Sequence, residues 1–469
     1  MNEHPLRLSA VAAAPIVACL LALSLSTNRV AASTLLDPDP ENSTTRFGYC
    51  IAVTGDLDAD GIADLAVGAP FQDGDFVNID PTYGKPQNVG KVFLISGSTL
   101  TVIRQLNDPQ FQMIQKLKFG GQFGSSIAAV ADVNGDGVTD ILVGVPHYSI
   151  DAGAADVINA GRVFLFSGKD GSVLLTLDDP APAEGARFGF AVAGLGDVNG
   201  DGLPDLLVGV PKKDASEELP DVGMAYVFSS RDGSLIRSLD PPSQGGGEAN
   251  GRFGSAVAEA GDVTGDGVSD ILIGAPGDSR VFVLSGATGT VIFTILSPVT
   301  ERLASFGFAV AGGKDLDGDG KPDFAIGAPL ANGLKGAAYI FNGSDGSLQR
   351  RLRGPAQNFA KFGSTVALSA DSTGDGRPDI LVGAPDQTLN GLLNAGEAFI
   401  FKGSNGRLVK SITSAQPKAF AGFASALGAG EFNGNGALET VTGAPFETAD
   451  IIQGHDLVTH PQIGQIEIQ

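Results

Sequence analysis

Apolar and polar positions along this 469-residue chain alternate in short runs of about five residues, and no helical period of note appears. One stretch shows the grammar. Phe188-Gly189-Phe190-Ala191-Val192-Ala193 predicts a first strand, and Asp205-Leu206-Leu207-Val208-Gly209 a second. Met224-Ala225-Tyr226-Val227-Phe228 predicts a third, and Ser234 to Leu239 a fourth after the turn Arg231-Asp232-Gly233. Comparable Asp-Gly and Asn-Gly turns stand at Asp170-Gly171, Asp345-Gly346 and Asn405-Gly406, which is hairpin chemistry.

The pattern repeats seven times in a fixed register. Six good copies begin at Phe47, Phe123, Phe188, Phe253, Phe306 and Phe362, each followed by Gly. Nine residues after each Phe stands an Asp, and fourteen after that Asp stands the Pro of a Gly-Ala-Pro or Gly-Val-Pro, at Pro70, Pro146, Pro211, Pro276, Pro329 and Pro385. The seventh copy is degenerate: Phe423-Ala424 replaces Phe-Gly, Glu431 replaces the Asp, and Pro445 keeps the spacing. Copies are spaced by 53 to 76 residues, with the variation outside the fixed core, as loop insertions behave. Four antiparallel strands, seven times over, predict an all-β, seven-bladed β-propeller across residues 33–469. First strands such as Ser255-Ala256-Val257-Ala258 carry the small side chains that the crowded wall of a central channel requires.

The ends of the repeat region suggest how the ring closes. Gly464 to Gln469 matches a third strand, and no fourth follows it. Ala32 to Pro38 resembles a fourth strand with its exit, as in Leu174 to Pro180. The N-terminal strand is therefore expected to complete the last blade and to cover its edge.

Each good copy contains the loop Asp-x-[Asp/Asn/Thr]-x-Asp-Gly-x-x-Asp. The side chains are Asp56, Asp58, Asp60 and Asp64; Asp132, Asn134, Asp136 and Asp140; Asp197, Asn199, Asp201 and Asp205; Asp262, Thr264, Asp266 and Asp270; Asp315, Asp317, Asp319 and Asp323; Asp371, Thr373, Asp375 and Asp379. Hard oxygen donors at positions 1, 3 and 5, a Gly at 6 for the turn, a carbonyl at 7 and a carboxylate at 9 suit Ca²⁺, at about six structural sites. No thiolate or imidazole lies in the loops, which argues against zinc and copper, and Mg²⁺ keeps more of its water. An EF-hand is rejected, because position 12 is Val or Ile within a strand rather than Glu. Six loops in one register argue against turns that bind nothing. The seventh, Glu431 to Glu439, is expected to be weak or empty.

Net charge is −23, or −24 once residues 1–32 are removed. The six loops hold twenty Asp, and without them the remainder is near −4. The acidity thus belongs to the loops, and it argues against nucleic-acid binding, which wants a basic face. Residues 1–32 read as a secretory signal peptide: Arg7, an apolar run from Ala10 to Leu25, and Val30-Ala31-Ala32 before Ser33. A retained membrane anchor and lipidation at Cys19 are the alternatives. No segment beyond it is apolar enough to span a bilayer. Of the two Cys, only Cys50 lies outside the leader, so no disulfide forms within the mature chain. The expected location is secreted, cell-surface or periplasmic.

Phe-Gly, the Ca²⁺-type loop and Gly-Ala-Pro together resemble the FG-GAP repeats of integrin α-subunit N-terminal propellers, over about residues 33–469. The resemblance implies seven blades, Ca²⁺ in hairpin loops and a role in cell adhesion. Six intact loops exceed the usual integrin number, and integrin legs, transmembrane helix and tail find no counterpart, so a free-standing secreted propeller fits better.

Strand alternation puts the loops joining second to third strands on the face opposite the acidic loops. Long ones follow Pro70, Pro146 and Pro445, in repeats that adjoin in a closed ring. They carry Phe71, Phe76, Tyr83, His147, Tyr148, Phe446, His455 and His460, which are expected to form a ligand face for an extracellular protein or a cell-surface ligand, or else to pack on one another. The expected function is a non-enzymatic, Ca²⁺-stabilised binding module. The alternatives are a propeller-type enzyme such as a lyase or phospholipase-associated domain, resting on His455, His460, Asp450 and Asp456, or a structural subunit of an envelope assembly.

Overall fold

The computed structural model describes residues 33–39, 44–73, 87–110, 120–150, 156–242, 247–299, 304–354, 357, 359–447, 449–453, 456–460 and 465–469, with side chains omitted within 449–460. The predicted leader, Phe76, Tyr83 and His455 lie outside these residues.

The described chain is a seven-bladed β-propeller of four-stranded antiparallel blades. The third blade runs Ala191–Gly194, Leu206–Val210, Met224–Phe228 and Leu235–Leu239 in that order. Its first strand begins three residues later than the sequence suggests, because Gly189 has φ of 81° and turns the chain before pairing begins at Ala191 with Gly209. Second strands are buried throughout and third strands mostly so, fourth strands are half-exposed around one buried residue such as Leu239, and first strands are lined by Ala, Ser, Thr and Val.

The last blade closes the ring as expected. Ser33–Leu36 pairs antiparallel with Gln465–Ile468, which pairs with Glu439–Ala444, which pairs with Ala426–Gly430. One element escaped the sequence reading: the long loop after Pro445 contains a hairpin, Ala449–Gln453 with Asp456–His460.

The core lies between blades rather than within them. Each of the seven joints has its own apolar cluster, and the joint between the last and first blades sets Val441, Ile466 and Ile468 against Phe47, Leu65, Val67 and Phe93. The joint between the sixth and seventh blades is the poorest, built on Ala398, Ala424, Ala444, Ile412 and Phe423. Every repeat-opening Phe is fully buried. Phe47 meets Phe93 of its own blade edge-on at 5.6 Å, and Phe188 meets Phe228 at 5.8 Å. The same Phe reaches back to the previous blade: the Phe188 amide donates to the carbonyl of Ala160, and the Phe253 amide to that of Val222.

The paired glycines explain why the two ends of each repeat are invariant along the chain. The amide of Gly189 donates to the carbonyl of Gly209 in its own blade, while a β-carbon on Gly209 would stand 2.1 Å from the carbonyl oxygen of Gly254 in the next. The joint is backbone against backbone, which favours glycine; only the joint between the sixth and seventh blades sets Gly383 against an alanine, Ala424, instead.

Candidate metal loops and the opposite loop face

The six intact loops fold alike. In each, the position-6 Gly donates its amide to the position-1 Asp: Gly61 to Asp56, Gly137 to Asp132, Gly202 to Asp197, Gly267 to Asp262, Gly320 to Asp315 and Gly376 to Asp371, at 2.6–3.0 Å. The position-7 amide donates to the position-5 carboxylate, as from Ile62 to Asp60 and from Val138 to Asp136. Asp56, Asp58 and Asp64 bring ligand atoms within 4.8 Å of one another, as do Asp315, Asp317 and Asp323, and Asp371, Asp375 and Asp379. The second and third loops place an Asn, and the fourth a Thr, at position 3 in the same fold. An all-oxygen donor set on a turn of this size fits a hard divalent cation. In the seventh copy, Glu431 instead takes the amides of Asn433 and Asn435, and Asn433 donates to Glu439.

Position 9 does more than the sequence suggests. Asp140 is fully buried. One oxygen accepts the Val133 amide at 2.9 Å from its own loop, and the other accepts the Gly168 amide at 3.2 Å from the turn between third and fourth strands. Asp64, Asp270 and Asp323 repeat this with Leu57 and Gly97, Val263 and Gly286, and Leu316 and Gly343. The carboxylate fastens two loops of one face together as well as facing the ligand cluster. Burial, with the neighbouring carboxylates Asp136 and Asp132 adding to it, pushes Asp140 up to about 6 against the amides that stabilise its charge. Asp205 and Asp323 are likewise pushed up to about 6, chiefly by burial. Asp132 moves the other way, held low by the Gly137 amide. A divalent cation would relieve the crowding of charge that raises position 9.

On the opposite face, the expected ligand residues fall into separate groups. Arg46 lies over Phe71 at 4.0 Å and over Phe446 at 4.9 Å, and Tyr49 meets Phe71 edge-on at 6.2 Å, across the closing joint. Tyr148 stacks on Arg162 at 4.2 Å, and the half-buried His147 bonds Asn159 through Nδ1 at 3.3 Å, with burial pulling its pKa down. His460 sits opposite Ala449 in the hairpin, which also aligns Asp450 with Thr459 and Gln453 with Asp456.

Sequence reasoning missed a cavity of about 410 Å³ on this face. Tyr49 of the first blade, Phe308 and Leu330 of the fifth, Lys361 of the sixth and Phe446 of the seventh line it, so it spans four consecutive blades of the closed ring. Three repeat prolines, Pro329, Pro385 and Pro445, form part of its wall. The available signal was the residue after each Phe-Gly, which alternates between aromatic (Tyr49, Phe190, Phe308) and Ser (Ser125, Ser255, Ser364). Also missed were Phe359 and Phe420, about 60 % exposed at φ of 64° and 63°, where the third and fourth copies place Gly185 and Asn250.

The FG-GAP repeat family model matches residues 47–95, 123–166, 188–228, 253–293 and 306–341, and an FG-GAP-like model matches 92–143. The chain is built of FG-GAP repeats. Integrin alpha-5 of Xenopus laevis is 33 % identical over 223 residues, 44 % of this chain and 20 % of that protein. Integrin alpha-4 of Xenopus laevis is 30 % identical over 284 residues, 57 % and 25 % of the two chains, and human integrin alpha-IIb is 34 % identical over 230 residues, 46 % and 20 %. The FG-GAP chain thus spans only a fifth to a quarter of the integrins it resembles. Among solved structures, that described as BBS1N in complex with ARL6DN, soaked with lead, superposes with a TM-score of 0.52 at 10 % identity, over 92 % of this chain and 96 % of that one, a likeness of fold. The sixth and seventh FG-GAP copies lie outside the matched residues but build the same blade. No helix among the described residues is long and apolar enough to cross a membrane.

Proposed function

We propose that this chain is an exported, calcium-stabilised FG-GAP propeller that binds an extracellular protein or a cell-surface ligand, an adhesion-type module without catalytic activity. The observation that carries the reading is the division of labour between faces. Six loops with one all-oxygen donor pattern, folded alike, stand on one side, and the aromatic-lined cavity lies on the other. The integrin relatives support the adhesion class, and the apolar run before Ser33 supports a cleaved leader.

In this reading, positions 1, 3, 5 and 9 hold Ca²⁺ and lock the first strand to the second. Sites of extracellular type have dissociation constants of roughly 10⁻⁴–10⁻³ M. At ten times that concentration one site adds about 1.4 kcal/mol, and six independent sites about 8 kcal/mol, which rivals a domain's whole net stability. Calorimetry in calcium and in EGTA tests the metal, with a Tm lower by many degrees expected on chelation; an unchanged Tm sinks calcium. Pull-down from extracellular material in calcium and in EGTA tests the binding role, with capture expected only in calcium.

A further inference from the structure

A second concavity, of about 430 Å³, lies on the outer part of the fifth blade, on the long-loop face. It is lined by Lys335, Arg351, Arg353 and Asn332, and its described lining contains no carboxylate. In a chain of net charge −23, three cations sharing one hollow is a local reversal of sign.

Local geometry explains how they meet. Leu348–Leu352 is the outer strand, and Leu352 is buried in the joint. Alternation therefore sends Arg351 and Arg353 to the side away from Leu352, while Arg350, on the Leu352 side, donates to the carbonyl of Gly403. Arg351 lies 6.0 Å over the Tyr339 ring. Lys335, half-buried, comes from the loop after the second strand. Other blades put acids where the outer strand ends and neutralise nearby cations with them. Arg162 makes a two-bond fork with Asp178, and Lys213 binds Asp179 at 2.7 Å. The fifth blade has Arg353 at the position of Asp178, and no ion pair joins Lys335, Arg351 or Arg353 to a carboxylate among the described residues.

We infer that this hollow binds the sulfate or phosphate group of a ligand. Two guanidinium forks and an ammonium match the charge and planar bidentate geometry of such an oxyanion better than a single carboxylate would. The volume leaves room for the sugar-sized body that carries it.

Isothermal titration of the calcium-loaded protein tests this, at constant ionic strength, with sodium sulfate and with a monosulfated disaccharide as probes; sulfate does not precipitate the metal as phosphate would. Saturable one-site binding is expected. The pair Arg351→Gln with Arg353→Gln, and Lys335→Gln alone, should weaken it by roughly tenfold or more. Lys410→Gln, an exposed cation on the outer strand of the sixth blade, should leave it unchanged. Tighter binding of the disaccharide assigns the site to a sulfated glycan, and equal binding to a free anion. Absence of saturable binding by either probe, affinity unchanged in the arginine pair and in Lys335→Gln, or equal loss in Lys410→Gln would overturn the inference. The single Lys335 variant keeps the test open should the double variant fail to fold.

Discussion

A β-carbon placed on Gly443, in the last blade, would stand 2.1 Å from the carbonyl oxygen of Gly48, in the first. The same approach recurs around the ring, from Gly68 to Gly124 and from Gly274 to Gly307. Gly443→Ala must therefore push the closing joint apart, at a cost of about 1–3 kcal/mol. Chemical denaturation should show this loss, and Gly274→Ala should match it. An alanine variant as stable as the parent would mean that the blades slide freely past one another.

Closure also depends on Ser33–Leu36, whose removal strips the outer strand from the seventh blade. Deleting residues 33–38 should lower Tm and expose the edge of Gln465–Ile468 to pairing with another copy. Calorimetry with light scattering checks both effects. Unchanged Tm would show that pairing with Gln465–Ile468 adds nothing to the ring.

Much of this was legible in the chain, because an invariant spacing of Phe, Asp and Pro leaves few ways to place strands. Even the docking of Ser33–Leu36 beside Gln465–Ile468 follows from a missing fourth strand at one end and a surplus one at the other, though not its register. The cavity was not legible: Tyr49 and Phe308 belong to blades that are distant in sequence and line one hollow only once the ring closes. Nor was the structural role of Asp140, since a candidate metal ligand and an acceptor of backbone amides are written with the same letter. Phe359 and Phe420 escaped because sequence patterning does not register a left-handed backbone at an aromatic residue.

The two duties of the acidic loop can be separated. Asp132 is half-exposed and serves only its own loop, whereas Asp140 bridges to Gly168. Asp132→Asn should lower stability mainly in calcium. Asp140→Ala should lower it in EGTA as well, by about 1–3 kcal/mol, because it leaves the buried amides of Val133 and Gly168 without an acceptor. Denaturation of both variants with and without metal reads the difference. Equal behaviour of the two in EGTA would reduce position 9 to a ligand alone.

The raised carboxyl groups fix the sign of a pH effect. Asp140, Asp205 and Asp323, together with Asp37, Asp108 and Asp278, are each pushed up to about 6 in the fold, chiefly by burial. An unfolded Asp titrates near 4, so between about pH 4 and 6 the folded state holds more protons than the unfolded one. Ionising these groups opposes folding, a penalty that is full above pH 6, shrinks as pH falls below 6 and is gone below about 4. The metal-free protein should thus melt at a higher temperature at pH 5.5 than at pH 7.5. With calcium bound the slope reverses, because protons compete with the cation for the same oxygens. Scanning calorimetry at both pH values, in metal-stripped buffer and in calcium, should give slopes of opposite sign. Parallel slopes would show that the carboxylates crowding each loop do not share a cation.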